Sequence, residues 1–217
     1  MRHTPRTIAI AASKGGTGKT TLTSALAVQA VKEGGSVALL DWEPQGSLTL
    51  WWIMRGKPDN PRLIKNAIDP EDAVQSVASE CDWVFLDTAP SSLEQIERAI
   101  ETADFVLIPV TASAFDLMAA RAVVTLCKDH NKAFAFVLNR QNARREVLNS
   151  SAEAHLRKLG PVLDEHVQDR AAYVSALNKG KSGPEHPDSK QAREARPEIE
   201  ALWASVKKRA TAKARVR

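Results

Sequence analysis

The stretch Lys14-Gly15-Gly16-Thr17-Gly18-Lys19-Thr20-Thr21 decides the fold. It follows the apolar run Thr7-Ile8-Ala9-Ile10-Ala11-Ala12, which reads as a buried strand. It precedes a helical pattern, Leu22, Leu26, Val28 and Val31, that ends at Gly34-Gly35. In a strand–turn–helix context, small residues let successive backbone N–H groups and the helix N-terminus face an anion. Lys19 is then placed to reach the β- and γ-phosphates of a nucleotide, and the Thr20 hydroxyl to ligate Mg²⁺. Two details depart from the general pattern G-x-x-x-x-G-K-[ST]. Ser13 stands where the first glycine belongs, and Lys14 adds a cation that the phosphate cradle does not need.

Outward from this loop the chain alternates strands and helices. Ser36 to Asp41 and Trp83 to Asp87 are apolar strands, each with an acid at its C-terminal end. Phe105 to Val110 and Ala133 to Leu138 are further strands. Helices are predicted around Ser47 to Met54, from about Phe115 to Asp129, and over 146–159, 170–178 and 190–208. Asp69-Pro70-Glu71-Asp72 has the makings of a helix start, and Ser91-Ser92-Leu93-Glu94 fits a capping box. This pattern predicts an α/β fold, a mostly parallel twisted sheet with helices on both faces and right-handed crossovers. Ligands in such folds sit at the C-terminal ends of the strands, where Ser13, Asp41 and Asp87 all fall. Asp87 suits a Mg²⁺ held through its water shell, and Asp41 suits a carboxylate that orients an attacking water near the γ-phosphate.

At 217 residues and 43% hydrophobic content, the chain is most simply one domain. No apolar run approaches a membrane span, and no signal-peptide pattern opens the chain, so a cytoplasmic location is expected. Cys81 and Cys127 show no metal or redox spacing. The net charge of +4 is unevenly spread: residues 179–217 hold eleven Lys/Arg against five Asp/Glu, the remainder 19 against 21. The basic excess therefore lies in the C-terminal segment and suggests a polyanion-facing end.

The motifs together resemble the ParA/MinD superfamily of ATPases. Lys14 to Thr21 resembles its deviant Walker A motif, and Asp41-x-Glu-Pro-Gln-Gly-Ser the ParA element usually written D-x-D-P-Q. Phe85-Leu86-Asp87-Thr88-Ala89-Pro90 is similar to its Walker B, and Ala103 to Val110 to the strand that follows. The resemblance runs from about residue 7 to 205 and implies a P-loop NTPase fold with ATP and Mg²⁺ as cofactors. It implies that Lys14 crosses the interface of an ATP-sandwich homodimer to the partner's nucleotide, in the manner of an arginine finger. Gly15, Gly16, Thr17, Gly18 and Lys19 would cradle the phosphates, Lys19 as the phosphate-binding lysine. Thr20 would ligate Mg²⁺, Thr21 contact the α-phosphate, Asp41 position water and Asp87 serve as the Walker B acid. Asn139 matches the position from which relatives recognise adenine, a task an amide suits because it both donates and accepts. Glu43 in place of the second Asp, Thr17 where Val is common and Ala89 in place of Pro are departures that remove no catalytic group.

The resemblance further implies an ATPase that binds DNA non-specifically as an ATP dimer, is stimulated by a ParB-like protein, and partitions plasmids or chromosomes or positions cargo on the nucleoid. Only a few residues precede Pro5, so an N-terminal helix-turn-helix domain is not expected. From Ser205 the chain carries Lys207, Lys208, Arg209, Lys213, Arg215 and Arg217 with no acid. Its apolar residues there are Ala and Val, too small for a membrane-surface helix, whereas phosphate contacts need only cations. Arg170, Arg193, Arg196, Lys207, Lys208 and Arg209 are the candidate DNA contacts. The expected organisation is a domain over 1–205 and a basic, frayed tail over 206–217. A MinD-like membrane-associated regulator and a ParA relative acting in conjugative DNA transfer are the alternatives. A biotin-pathway synthetase is disfavoured by the Asp41 element, and an iron protein of the nitrogenase type by the cysteines. Of the five Trp residues, Trp83 reads as core. Trp51 and Trp52 cannot both turn inward from one helical face, so one is expected to pack on the 55–61 loop or to cover a partner.

Overall fold

The computed structural model describes residues 4–65, 67, 69–90, 92–186 and 190–212. In chain order these form β1 (Arg6–Ile10), α1 (Lys19–Lys32), β2 (Val37–Trp42), α2 (Ser47–Met54), β3 (Arg62–Leu63), α3 (Pro70–Ser76), β4 (Trp83–Thr88) and α4 (Leu93–Thr102). Then follow β5 (Phe105–Val110), α5 (Ala114–Asp129), β6 (Ala133–Gln141), α6 (Glu146–Arg157), β7 (Val162–Gln168), α7 (Ala171–Leu177), a 3-10 turn (Gly183–Glu185) and α8 (Lys190–Thr211). The strands make one parallel sheet in the order β3-β2-β4-β1-β5-β6-β7. Parallel neighbours need crossovers, and the helices supply them on both faces.

The period of two along each strand divides the core. Ile8, Ile10, Leu39, Phe85 and Val137 face a layer that includes α1, α2, α7 and α8. Ala9, Ala38, Val84, Leu86 and Leu138 face α3, α4, α5 and α6. The same parity sets the site. Two residues beyond Leu39, Phe85 and Val137 come Asp41, Asp87 and Asn139, so all three are directed toward the α1 side at the C-terminal strand ends. Register completes the grouping: Asp87 pairs with Ile10 on one side and Asp41 on the other.

Several expectations change. β3 and β7 were not foreseen. β3 has two residues, and β7 is an edge strand whose Asp164, Glu165 and His166 break the apolar pattern, as edge strands do. The start of α4 lies one residue later than the predicted box: Ser92 is the cap, its Oγ accepting from the Gln95 amide at 3.2 Å. Ser91 is outside the described residues. Both tryptophans of the pair are buried, with Trp51 Nε1 donating to the Lys181 carbonyl and Trp52 Nε1 to that of Pro61. The helix tolerates this because its flanks meet different neighbours, the 179–185 segment and the 55–61 loop.

The expected boundary at 205 also moves. α8 continues to Thr211, and Ile199, Leu202, Trp203, Val206 and Ala210 are buried at helical spacing. Trp203 packs edge-on against Trp83, with ring centroids 4.8 Å apart. Residues 206–211 are thus a docked helix end; Lys213, Arg215 and Arg217 lie outside the described residues. No described helix is long and apolar enough to cross a membrane.

Candidate functional site

The loop between β1 and α1 turns on two left-handed glycines, Gly16 at φ +80° and Gly18 at φ +90°. Side chains other than glycine rarely adopt this conformation, and it directs the first amides of α1 toward the space above the loop. Gly18 is required for a second reason. A Cβ there would lie 2.3 Å from Nδ2 of Asn139. Asn139 itself is buried and donates to the Thr17 carbonyl at 2.7 Å. Ser13, in place of glycine, donates its hydroxyl to the Ala119 carbonyl on α5 at 2.8 Å, which ties the loop to that helix.

Below the loop, Asp87 is fully buried. It accepts from Thr20 Oγ1 at 2.5 Å and from Thr23 Oγ1 at 3.4 Å. Burial pushes its carboxyl up to about 7; the Thr20 hydroxyl and the Lys19 charge pull it down, while Asp41 and Glu43 push it further up. Lys19 is lowered from the ordinary lysine value, chiefly by burial, against the favourable charges of Asp87 and Glu43. Its Nζ lies 3.4 Å from the Lys14 carbonyl, folded under the loop. Asp41 is held by amides: Oδ2 accepts from Thr49 at 2.7 Å and Oδ1 from Glu43 at 3.3 Å.

These residues fit a magnesium-bound polyphosphate. A hydroxyl and a carboxylate in direct contact, below a cradle of amides, are oxygen donors of the kind Mg²⁺ takes. Among the described residues no cluster of three or more His, Cys, Asp or Glu could hold a metal unaided, so phosphate and water would complete the shell.

Beside the loop, a cleft of about 240 Å³ is lined by residues that include Gly18, Thr21, Asn139, Arg140, Asp169 and Tyr173. It is of a size to take a base and sugar. Arg140 adopts φ +53°, donates to the Gly16 carbonyl at 3.3 Å and pairs with Asp169. The sequence reading missed it, although it directly follows Asn139.

The two lysines of the loop separate in space. Lys14 turns away from Lys19, and its Nζ lies 2.6 Å from Oδ1 of Asp116 at the start of α5. Asp116 is 6% exposed and also accepts from Thr111 Oγ1 at 2.6 Å. Lys14 Nζ also stands 5.6 Å from the centre of the Phe115 ring. Nothing in the sequence singled out Asp116, which looked like an ordinary first-turn acid.

The candidate DNA contacts do not share one environment. Arg170 is not a free surface cation, because its guanidinium is held by Glu194 and Glu198 of α8 beside the base cleft. Lys207 is paired with Glu33. Arg193, Arg196, Lys208 and Arg209 are exposed on α8 with no acid paired to them among the described residues. Burial raises both thiols, that of Cys127 to about 12, and keeps them protonated.

A Gly-rich loop between a central parallel strand and a helix, backed by a buried strand-end acid, defines a P-loop nucleotide-binding protein. Residues 8–183 match the model of the CobQ/CobB/MinD/ParA nucleotide binding domain, and the chain belongs to that family. It is 32% identical over 186 residues to a maintenance of carboxysome distribution protein A from Halothiobacillus neapolitanus, covering 81% of this chain and 85% of the relative. It is 28% identical over 128 residues to a protein ParA from Rhizobium radiobacter, 58% of each. Among solved structures, the ATP complex of a Cyanothece McdA variant superposes with a TM-score of 0.73 at 17% identity, over 99% of this chain and 100% of that one. The septum site-determining protein MinD of Pyrococcus horikoshii, complexed with Mg-ADP, gives 0.73 at 19% identity, over 98% and 100%. At these identities the structures speak to fold.

Proposed function

We propose that this chain is a ParA-type positioning ATPase that closes into a homodimer on ATP-Mg²⁺, binds DNA non-specifically in that state and is released by hydrolysis. The observation that carries the reading is the division of the loop's lysines: Lys19 buried under the phosphate cradle, Lys14 extended away from it toward α5. A lysine so placed serves its own nucleotide poorly, and once released from Asp116 it is available to a facing protomer's. The cationic loop also disfavours self-association until a polyanion lies between the two copies.

Thr20 and Asp87 hold Mg²⁺ in this reading, and the bound ion offsets phosphate charge. Asn139 and the cleft around Tyr173 take the adenosine, and Thr21 the α-phosphate. Asp41, oriented by the Thr49 and Glu43 amides, positions the attacking water. Lys14 of the facing protomer stabilises charge on the transferring phosphoryl group. A partner protein of the ParB kind stimulates turnover. The similarity to McdA, longer and higher than that to ParA, supports a distributed protein cargo over a plasmid.

Exposed Arg193, Arg196, Lys208 and Arg209 favour DNA over membrane. The large apolar side chains of α8, including Leu202, Trp203 and Val206, are committed to the core and unavailable to insert into lipid. Retardation of a duplex of arbitrary sequence, run beside vesicle sedimentation, tests this. ATP-dependent retardation with no vesicle binding is expected. ATP-dependent vesicle binding without retardation would replace the reading with a membrane-associated regulator.

A further inference from the structure

The segment joining α7 to α8 is fastened to α2. Trp51 Nε1 donates to the Lys181 carbonyl at 3.1 Å, and Arg55 Nη1 to the Gly180 carbonyl at 3.0 Å. Arg55 also forks onto Glu185 at 2.8 and 2.9 Å. Glu185 in turn accepts from the backbone N–H and the hydroxyl of Ser182, at 2.8 and 2.9 Å. Gly180 has φ +64°, and a Cβ there would lie 2.3 Å from Arg55 N and 2.4 Å from Met54 C. The two backbones touch, which only glycine permits.

At its other end α2 is fastened to Asp41, whose Oδ2 accepts from Thr49. One continuous path of backbone and hydrogen bonds thus runs from the water-positioning acid, through two turns of helix, to residues 180–185. What that segment displays is cationic. Lys179 and Lys181 flank Gly180 and are exposed, as is Lys57 where the chain leaves α2. None of the three has an ion-pair partner among the described residues, whereas Arg55 is neutralised by Glu185. Several other surface cations are paired, as in Arg6–Asp104, Arg98–Asp69 and Arg157–Glu153, whereas Arg193, Arg196, Lys208 and Arg209 on α8 are, like these three, without an ion-pair partner among the described residues. The carbonyls of 180 and 181 are gripped while the ammonium groups stay free, the arrangement a phosphate contact needs.

We propose that Lys57, Lys179 and Lys181 form a phosphate-contact surface for duplex DNA, moved by α2 when Asp41 engages bound nucleotide. This rests on the reading that the ATP state binds DNA and adds where it binds and what gates it. Leu50, Ile53 and Met54 on α2 are 57, 45 and 42% exposed, a pairing of apolar and basic groups that an anionic membrane also attracts. DNA is favoured because α2 is only eight residues long and clamped at both ends, so it cannot lie down in a lipid interface.

The test is fluorescence anisotropy of a random-sequence duplex with ATP over a salt series. Lys179→Ala/Lys181→Ala should weaken binding about tenfold or more and flatten the log–log salt slope by about two for each protomer that engages the duplex, with DNA-free ATP turnover unchanged. Trp51→Phe keeps an aromatic side chain but loses the indole N–H and part of the ring; with the fold confirmed by circular dichroism, it should bring the ratio of DNA affinities in ATP and ADP toward one with all lysines in place. If the wild-type chain holds DNA and the lysine pair variant keeps its slope, the surface is wrong and the DNA reading stands. If Trp51→Phe keeps the nucleotide ratio, the gate is wrong. A wild-type chain that ignores duplex, or sediments only with anionic vesicles, overturns the DNA reading and this surface with it.

Discussion

The ammonium of Lys14 is held 2.6 Å from Asp116, a carboxylate of α5 102 residues away in the chain. The pair joins a half-exposed ammonium to a buried acid, the geometry in which removing one partner costs most. If Lys14 acts across a dimer interface, it must leave Asp116 first. The contact then sets a threshold on closure. Asp116→Asn keeps an acceptor for Thr111 but loses the charge, so it should lower the ATP concentration needed for dimerisation by about tenfold, for a coupling of about 1–2 kcal/mol. Sedimentation velocity across an ATP titration measures this. An unchanged or raised midpoint would show that Asp116 aims Lys14 and does not restrain it.

Asn139 and Gly18 are expected to behave as one unit. Gly18→Ala suffers both a left-handed backbone and a collision with the Asn139 amide. In the Asn139→Ala background only the backbone strain remains. Binding of a fluorescent ATP analogue should therefore show the double variant clearly less impaired than the sum of the single losses. Additive losses would mean that the two side chains do not meet.

Asp87 gives the nucleotide-free protein an inverted pH dependence. Its carboxyl is raised from an ordinary value near 3.8 to about 7, so between these values the folded state binds more protons than the unfolded one. Stability from this group is present below the lower value and is lost as pH rises toward 7. Thermal melts without nucleotide should fall across that window, and Asp87→Asn should flatten the fall. A wild-type melting point that rises through the same window would contradict the burial argument.

α8 anchors through Trp203, buried among Trp83, Phe85 and the aliphatic groups of α1. Trp203→Ala should cost about 3–5 kcal/mol in urea unfolding, as for other buried aromatics. A cost below about 1 kcal/mol would mean that α8 is only loosely attached.

Much of the site was legible because it depends on local order. Lys19, Thr20, Asp41, Asp87 and Asn139 sit at strand ends or in the turn beside one, and strand parity fixes their side. Lys14–Asp116 was illegible because it depends on α5 starting beside the loop, which spacing along the chain does not reveal. The pairing of Arg170 was illegible for a related reason: its charge is visible in sequence, but Glu194 and Glu198 meet it only after α8 folds back. The same helix hid its core. Ile199, Leu202, Trp203, Val206 and Ala210 have helical spacing, yet the surrounding Lys and Arg drew attention to the solvent side. β7 was missed because its central residues are polar, an edge-strand habit that erases the alternation.

The central claim, that Lys14 acts on the other protomer's nucleotide, is tested most directly by mixing two inactive variants. On this account Lys14→Ala loses the trans cation and Asp41→Ala the water-positioning acid. A mixed dimer rebuilds one complete site, with Asp41 from the first chain and Lys14 from the second. Equal mixing should restore about a quarter of wild-type ATP turnover, since about half the dimers are mixed and each has one working site. Turnover that stays at the level of the separate variants, with mixed dimers demonstrated by differential labelling, would contradict it and return Lys14 to its own loop.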